Sequence, residues 1–184
     1  MTGTPFDFLR AEFPQLHEEA VRSGEAALRD PRASCFYARR GVELAVRWAF
    51  AHDRDLGKPY DSTLGAHINT PDFKHLVGQQ VYLKVREVVK LGNRAAHHSG
   101  PISVHESVPA VSHLFEFLYW FARTYCQDKP PADLVFDPSV LPPARREPPE
   151  PSTATRIREL EEEVAAGGDA HQLSPGWGRP PARN

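Results

Sequence analysis

Residues 31–52 read PRASCFYARRGVELAVRWAFAH, and small or branched apolar residues recur in this stretch at helical spacing. The recurring positions are Cys35, Ala38, Val42, Ala45, Val46 and Ala49. Such a stripe gives a helix one apolar face, which it buries against neighbouring helices. We therefore predict a core helix over 31–52.

Three further stretches have the same periodicity, and we predict helices over 13–28, over 77–96 and from Ser103 to Cys126. The stretch between the second and third predicted helices, 54–76, contains two glycines and two prolines. It predicts a loop with one or two short helical turns, for example over 62–68. Alternation typical of β-strands is essentially absent, so the predicted fold class is all-α, a four-helix up-down bundle.

The start of the last predicted helix has its own signals. Ser103 and Glu106 have the spacing of a capping box. Pro109 lacks the N–H that a helix interior needs, so it predicts either a kink or a later start.

The last third of the chain differs in composition, because 11 of the 18 prolines lie in 129–184. Such a composition buries too little apolar surface to offset its ordering entropy. We predict the bundle over 5–127, a proline-rich linker over 128–151, a short helix that could start a coiled coil over 152–166, and a disordered tail over 167–184.

Size and charge limit the classes of function. A chain of 184 residues is typical of one domain with an appendage. Its 22 Lys and Arg balance 24 Asp and Glu, which leaves a formal charge of -2. Any contact with nucleic acid must therefore be a local patch. The sequence has neither a signal-peptide pattern nor a membrane-length apolar run, so we expect a cytoplasmic protein with no membrane partner.

No pattern in the sequence predicts a cofactor or a metal. Cys35 and Cys126 lack C-x-x-C spacing and lie in apolar helical patterns, so we predict buried thiols. The nine histidines show no H-E-x-x-H arrangement. Phosphate-binding, dinucleotide-binding and hydrolase motifs with glycine at fixed positions are also missing.

The most informative stretch lies at the end of the third predicted helix. Arg86, Lys90, Asn93 and His97 are spaced to form one polar ridge, and His98 follows. Read as a site, His97 exchanges protons near neutral pH, Asn93 orients it or a ribose hydroxyl, and the basic residues hold a phosphate. In the structural interpretation, these polar residues only form the outer face of an amphipathic helix. A histidine or lysine in the last turn is then favoured by the helix dipole.

A second cluster lies on the second predicted helix. Arg39 lies four residues before Glu43, and Arg40 lies three residues before it. At either spacing the arginine can form an ion pair with Glu43 along the helix. The two arginines can equally face the ridge of Asn93 and His97. Gly92 lies on the packing stripe, where it costs helix stability, so a helix or a ligand is expected to approach closely there.

Two segments, ARRGVE over 38–43 and LGNRAAH over 91–97, resemble a domain of unknown function in the HEPN superfamily of small helical bundles. That bacterial domain often stands at the N-terminus of the restriction (R) subunit of type I restriction-modification enzymes. The resemblance covers roughly 5–127 and includes Phe13-Pro14 and Asp30-Pro31. Larger relatives continue through a coiled coil into a nuclease domain and a motor, so a truncated or stand-alone product is expected here.

Active members of the superfamily are metal-independent ribonucleases whose motif joins an arginine, a polar residue and a histidine. Aligned on Asn93 and His97, this chain has Gly92 in place of the arginine, and Arg94 points about 100° away. The resemblance therefore implies a non-catalytic accessory module for protein or nucleic-acid interaction in defence. Its expected partners are restriction-modification subunits, RNA or DNA, or a second copy of the chain.

Two alternatives stay open. One is a metal-independent ribonuclease that acts as a dimer, with Asn93, His97 and Arg94 as its catalytic candidates. The other is a helical scaffold without a ligand. The predicted binding residues are Arg39, Arg40, Glu43, Arg86, Lys90, Asn93, His97 and His98.

Overall fold

The computed structural model of the chain describes residues 3–97, 100–143, 157–158 and 161–162. Over these ranges it contains helices and no strand. The helices are α1 (Pro14–Ala26), α2 (Pro31–His52), α3 (Leu64–Ile68), α4 (Pro71–His97) and α5 (Val104–Tyr125), with short 3-10 turns at Asp7–Leu9 and Pro138–Val140. The predicted all-α class is confirmed.

Local signals explain where these helices begin. The Asp30 side chain accepts a hydrogen bond from the N–H of Ala33, which caps α2 at its predicted first residue. At the start of α5, Glu106 accepts from the N–H of Ser103 at 3.0 Å, as the capping pattern predicts. The helix then continues through Pro109 without a break in its helical backbone, so the alternative of a later start was wrong.

The helix α4 has two parts. Its first residue is Pro71, and Gly78 interrupts it with a φ of 75° and a ψ of 160°, so the long part starts close to the predicted residue 77. Glycine adopts this positive φ without the strain that a side chain brings. The Thr70 hydroxyl accepts from the N–H of Phe73, whose ring is buried. The stretch 54–76 therefore contains two helical segments, α3 and the turns from Pro71 to Gly78, where the sequence predicts one or two. The second segment begins at Thr70-Pro71, because proline is favoured in the first turn of a helix.

The four long helices run alternately up and down, as predicted. In each sequential pair the start of one helix lies beside the end of the next, and α2 in the centre contacts α1, α3, α4 and α5. The contacts that define this arrangement are Phe13 with Trp48, Ser23 with Ser34, Phe50 with Phe73, Arg32 with Ala95, Lys84 with Glu116, and Arg94 with Glu106.

The core is built mainly from α2 and α5. Small residues of α2 let the helices approach, and Phe115, Phe117 and Phe121 of α5 fill the space between them. Cys35 and Cys126 are buried free thiols, as predicted. Burial raises the pKa of each thiol to about 11, which keeps both protonated at neutral pH.

The folded unit extends beyond residue 127. Residues 128–143, here called the C-terminal strap, lie against α5 and α1. The Phe136 ring is 5.4 Å from that of Phe115 on α5, and Leu141, only 6% exposed, lies beside Gly24 of α1. Side chains of α5 also donate to strap carbonyls, Tyr119 to Pro131 at 2.6 Å and Arg123 to Pro130 at 2.9 Å. The boundary near 127 and the linker over 128–151 were therefore placed too early, because a few apolar residues anchor a proline-rich segment.

Residues 157–158 and 161–162 are helical, inside the predicted short helix of 152–166. The rest of that helix and the predicted tail over 167–184 lie outside the described residues. In the ranges that the structure describes, no helix is both long and apolar enough to cross a membrane. No group of three or more His, Cys, Asp or Glu in those ranges could hold a metal ion.

Candidate binding site along α4

The site begins at the contact between α2 and α4, where Gly92 lies against Arg39. A Cβ added to Gly92 would be 2.2 Å from the Arg39 Cβ and 2.9 Å from the carbonyl oxygen of Cys35. The expected close approach is therefore made by a helix. No larger side chain fits at position 92 while the two helices keep this distance.

A hydrogen-bonded network crosses this contact. The Arg39 Nε donates to Oδ1 of Asn93 at 2.8 Å, and its Nη1 donates to Glu43 at 3.2 Å. Arg47, one turn further along α2, is 2.8 Å from the other oxygen of Glu43. One carboxylate is thus shared by two guanidinium groups, and the network of four side chains carries a net positive charge.

Arg40 does not join this network. Its Nε is 3.4 Å from a carboxylate oxygen of Glu19 on α1, on a different side of α2. The second oxygen of Glu19 is buried and has no hydrogen-bond partner in the described structure. Of the two arginines that the sequence singles out, Arg39 therefore faces Asn93, and Arg40 ties α2 to α1.

Arg94 points away from the ridge, as its helical position predicts. Its Nη2 is 2.6 Å from Oε1 of Glu106, the capping residue of α5. The backbone N–H of Ser103 and this arginine lower the pKa of Glu106 to about 2, so the pair is ionic at neutral pH. Arg94 thus joins α4 to α5 and does not lie beside His97.

His97 ends α4 and is exposed to solvent. Within the described residues it makes no hydrogen bond, ion pair or ring contact. The end of the helix is fastened instead by Arg32 of α2, which donates to the carbonyl of Ala95 at 2.6 Å and also to the carbonyl of Gly100. His98 lies outside the described residues.

Arg86 and Lys90 continue the ridge toward the start of α4, and both are exposed. The Arg86 guanidinium carbon lies 5.7 Å from the centre of the Tyr82 ring, a cation–π distance. Among the described residues no carboxylate is within ion-pair distance of Arg86. Lys90 makes a long ion pair, with 3.8 Å between its Nζ and Oε2 of Glu87, and its side chain is 75% exposed. The charge of both residues is therefore accessible to a ligand.

An open groove of about 1060 Å³ runs beside the ridge. Three segments form it: α3 with the residue after it, α4, and the start of α5 with its preceding turn. The lining residues are Gly65, Ile68, Asn69, Arg86, Glu87, Val89, Lys90, Leu91, Asn93, Arg94, Gly100, Pro101 and Glu106. Its walls carry three basic side chains and two carboxylates, one of which is paired with Arg94.

Several members of this site were not predicted from the sequence. Arg47 belongs to the network because it lies one helical turn beyond Glu43, a spacing that could have indicated it. Asn69 accepts a hydrogen bond from the Tyr82 hydroxyl at 2.8 Å and brings the segment after α3 to the groove. No sequence signal indicated that contact, because it joins a loop to a helix.

Comparisons with protein-family models, curated proteins and solved structures gave no match to this chain. The fold class and the geometry of the site therefore carry the functional argument.

Proposed function

We propose that this bundle is a non-catalytic binding module that holds the phosphate backbone of a nucleic acid along α4. The observation that carries the proposal is the exposed pair Arg86 and Lys90, which borders a large groove and is only weakly engaged by carboxylates. Lys and Arg that contact phosphates release condensed counterions, which favours binding.

The same surface supplies neutral recognition groups. Asn93 is exposed, and its amide has a free N–H₂ end because its oxygen accepts from Arg39. Arg39 and Arg47 together carry two positive charges, and Glu43 carries one negative charge, so the edge of the ridge stays positive. A backbone that follows Arg86, Lys90 and Asn93 would therefore meet two cations and one hydrogen-bond donor.

We infer that the module is non-catalytic from the positions of three residues. Position 92 has no room for a phosphate-holding arginine, Arg94 is engaged by Glu106, and among the described residues His97 has no partner to orient it. A general acid-base histidine acts efficiently when a neighbouring group fixes its tautomer and a second group stabilises the developing charge. The ribonuclease alternative therefore stays a prediction that the assays below also test.

The test measures binding of a fluorescent single-stranded RNA by anisotropy at several salt concentrations. Arg86→Ala/Lys90→Ala should weaken binding and lower the salt slope by about 0.7 for each lost phosphate contact. Arg10→Ala/Arg22→Ala is the matched control, because it removes the same charge from exposed positions on another face. Equal losses in both double variants, or no binding by the wild type, would overturn the proposal.

The resemblance to the N-terminal module of type I restriction subunits adds a further proposal about context. It supports an accessory role in restriction-modification, in the cytoplasm, with methyltransferase or specificity subunits as protein partners. Pull-down of these subunits by the wild type but not by Arg86→Ala/Lys90→Ala would assign the ridge to a protein instead of a nucleic acid.

A further inference from the structure

A second open cavity runs along the outer face of α5, and we call it the α5 trench. Its volume is about 450 Å³, within the ~300–1000 Å³ typical of ligand sites. The outer face of α5 forms its floor, α4 forms one wall and the C-terminal strap forms the other. All three segments belong to the same folded unit.

The residues of the floor indicate how long a ligand the trench can hold. Ser112, Glu116, Tyr119 and Arg123 all line it, and their spacing places them on one face of α5. At ~1.5 Å per residue, this face is about 16 Å long from Ser112 to Arg123. A polyproline II segment rises ~3.1 Å per residue, so about five residues of such a peptide match the trench.

The strap shows which kind of chain this face of α5 already binds. Two floor residues donate to carbonyls of its Pro130-Pro131 pair: the Tyr119 hydroxyl to Pro131 at 2.6 Å and the Arg123 Nη1 to Pro130 at 2.9 Å. Proline-rich segments have carbonyls free for such donors, because polyproline II has no internal hydrogen bonds. Aromatic-lined grooves are the usual binding sites for these segments. The trench is continuous with a surface that already holds one.

Trp120 supplies a further donor, which the strap leaves unused. It lines the trench and is half-buried, and among the described residues its indole N–H makes no hydrogen bond. This nitrogen is not one of the buried polar atoms that lack a partner, so a ligand can reach it. The ring is held by Phe117, stacked with ring centres 5.9 Å apart, and by an edge contact with Tyr125. A fixed indole with an accessible N–H is suited to bind a peptide carbonyl.

The charges of the trench favour an acidic residue in the ligand. Lys84 of the α4 wall pairs with Glu116 of the floor, so these two charges neutralise each other. Arg123 is exposed and makes no ion pair among the described residues. The trench therefore keeps one uncompensated positive charge at one end, where a carboxylate can bind it. Val135 of the strap wall is 81% exposed and offers an apolar contact beside it.

We propose that the α5 trench binds an extended, proline-rich segment of a partner protein that carries an acidic residue. Trp120 donates to a backbone carbonyl of this segment, and Arg123 binds its carboxylate. An amphipathic helix is a weaker match, because its apolar stripe would cover the ion pair of Lys84 and Glu116 and remove it from water. The site goes beyond the proposed function and shares no residue with the α4 ridge.

The test begins with selection from a phage library of random peptides on the full-length protein. We expect the enriched peptides to contain neighbouring prolines and an acidic residue. The affinity of a labelled enriched peptide is then measured by fluorescence anisotropy. Trp120→Phe removes the indole N–H but keeps an aromatic ring, and should weaken binding about two- to tenfold, as expected for one lost hydrogen bond. Trp48→Phe is the matched control outside the trench and should bind as the wild type does.

A second variant tests the charge without touching the core. Arg123→Gln keeps a donor for the Pro130 carbonyl at this exposed position and removes the positive charge. It should weaken binding of the acidic peptide and leave that of a peptide with glutamine in place of the acid unchanged. Arg86→Ala/Lys90→Ala should keep peptide binding even where it loses RNA binding, which separates the two proposals. Enrichment of no peptide or of helical amphipathic ones, or equal affinities of wild type, Trp120→Phe and Arg123→Gln, would overturn the site.

Discussion

Gly92 of α4 lies directly against the side chain of Arg39 on α2, with no space for even one methyl group between them. This contact explains why a residue that weakens an isolated helix lies in the middle of a packing face. The rest of the ridge is arranged around this contact.

Gly92→Ala should destabilise the fold. Alanine would favour the helix by up to ~1 kcal/mol, but the new Cβ would meet the Arg39 Cβ and the Cys35 carbonyl, and overpacking costs about 1–3 kcal/mol. We expect a net loss of about 1 kcal/mol in the free energy of urea unfolding. Gly65→Ala, where the nearest atom is 3.9 Å away, is the control and should be neutral or stabilising. An unchanged Gly92→Ala protein would contradict the contact.

Glu106→Gln should change how stability depends on pH. The folded-state pKa of Glu106 is lowered to about 2 from its ordinary 4.5, so its ionised form stabilises the native state above pH 4.5. This contribution is lost as the pH falls from 4.5 toward 2. The difference in unfolding free energy between wild type and Glu106→Gln should therefore shrink over this range. A difference that stays constant with pH would contradict the lowered pKa of Glu106, which the Ser103 N–H and Arg94 cause.

Glu43→Gln should lower stability and raise affinity for RNA. Without the carboxylate, Arg39 and Arg47 lose their shared counter-charge, and the edge of the ridge becomes more positive. We expect tighter binding with a steeper salt dependence in the anisotropy assay. Glu18→Gln removes the same charge from α1, where it pairs with Arg22, and should leave affinity nearly unchanged. Equal effects of the two variants would show that only net charge matters.

Leu141→Ala tests whether the C-terminal strap belongs to the folded unit. The side chain is 6% exposed, and removal of a buried leucine costs about 2–5 kcal/mol. We expect a loss near the lower end of that range, because the strap lies at the edge of the core. Its neighbour Val140 is 53% exposed, so Val140→Ala should change stability by less than about 0.5 kcal/mol. Similar values for both variants would place the strap outside the folded unit.

Patterns within one helix were predicted well from the sequence. The apolar spacing of α2 and the Asp30-Pro31 start defined both ends of that helix, and Gly92 indicated a close approach before its partner was known. The direction of Arg94 followed from its position on the helix. These features depend on neighbours three or four residues away, which the sequence contains directly.

Features that depend on how helices meet were not predictable in the same way. The partner of Arg40 is Glu19 rather than Glu43, because the register between α1 and α2 decides it. The strap was not predicted because the composition of a segment is an average over all its residues. The many prolines of 128–143 outweigh its few buried apolar residues in that average.

The central claim, binding without catalysis, is tested most directly by native gel electrophoresis of end-labelled single-stranded RNA with a metal chelator present. Wild type and His97→Ala should both shift the RNA and leave it at full length. Cleavage by the wild type that His97→Ala abolishes would contradict the claim and establish a metal-independent ribonuclease in its place.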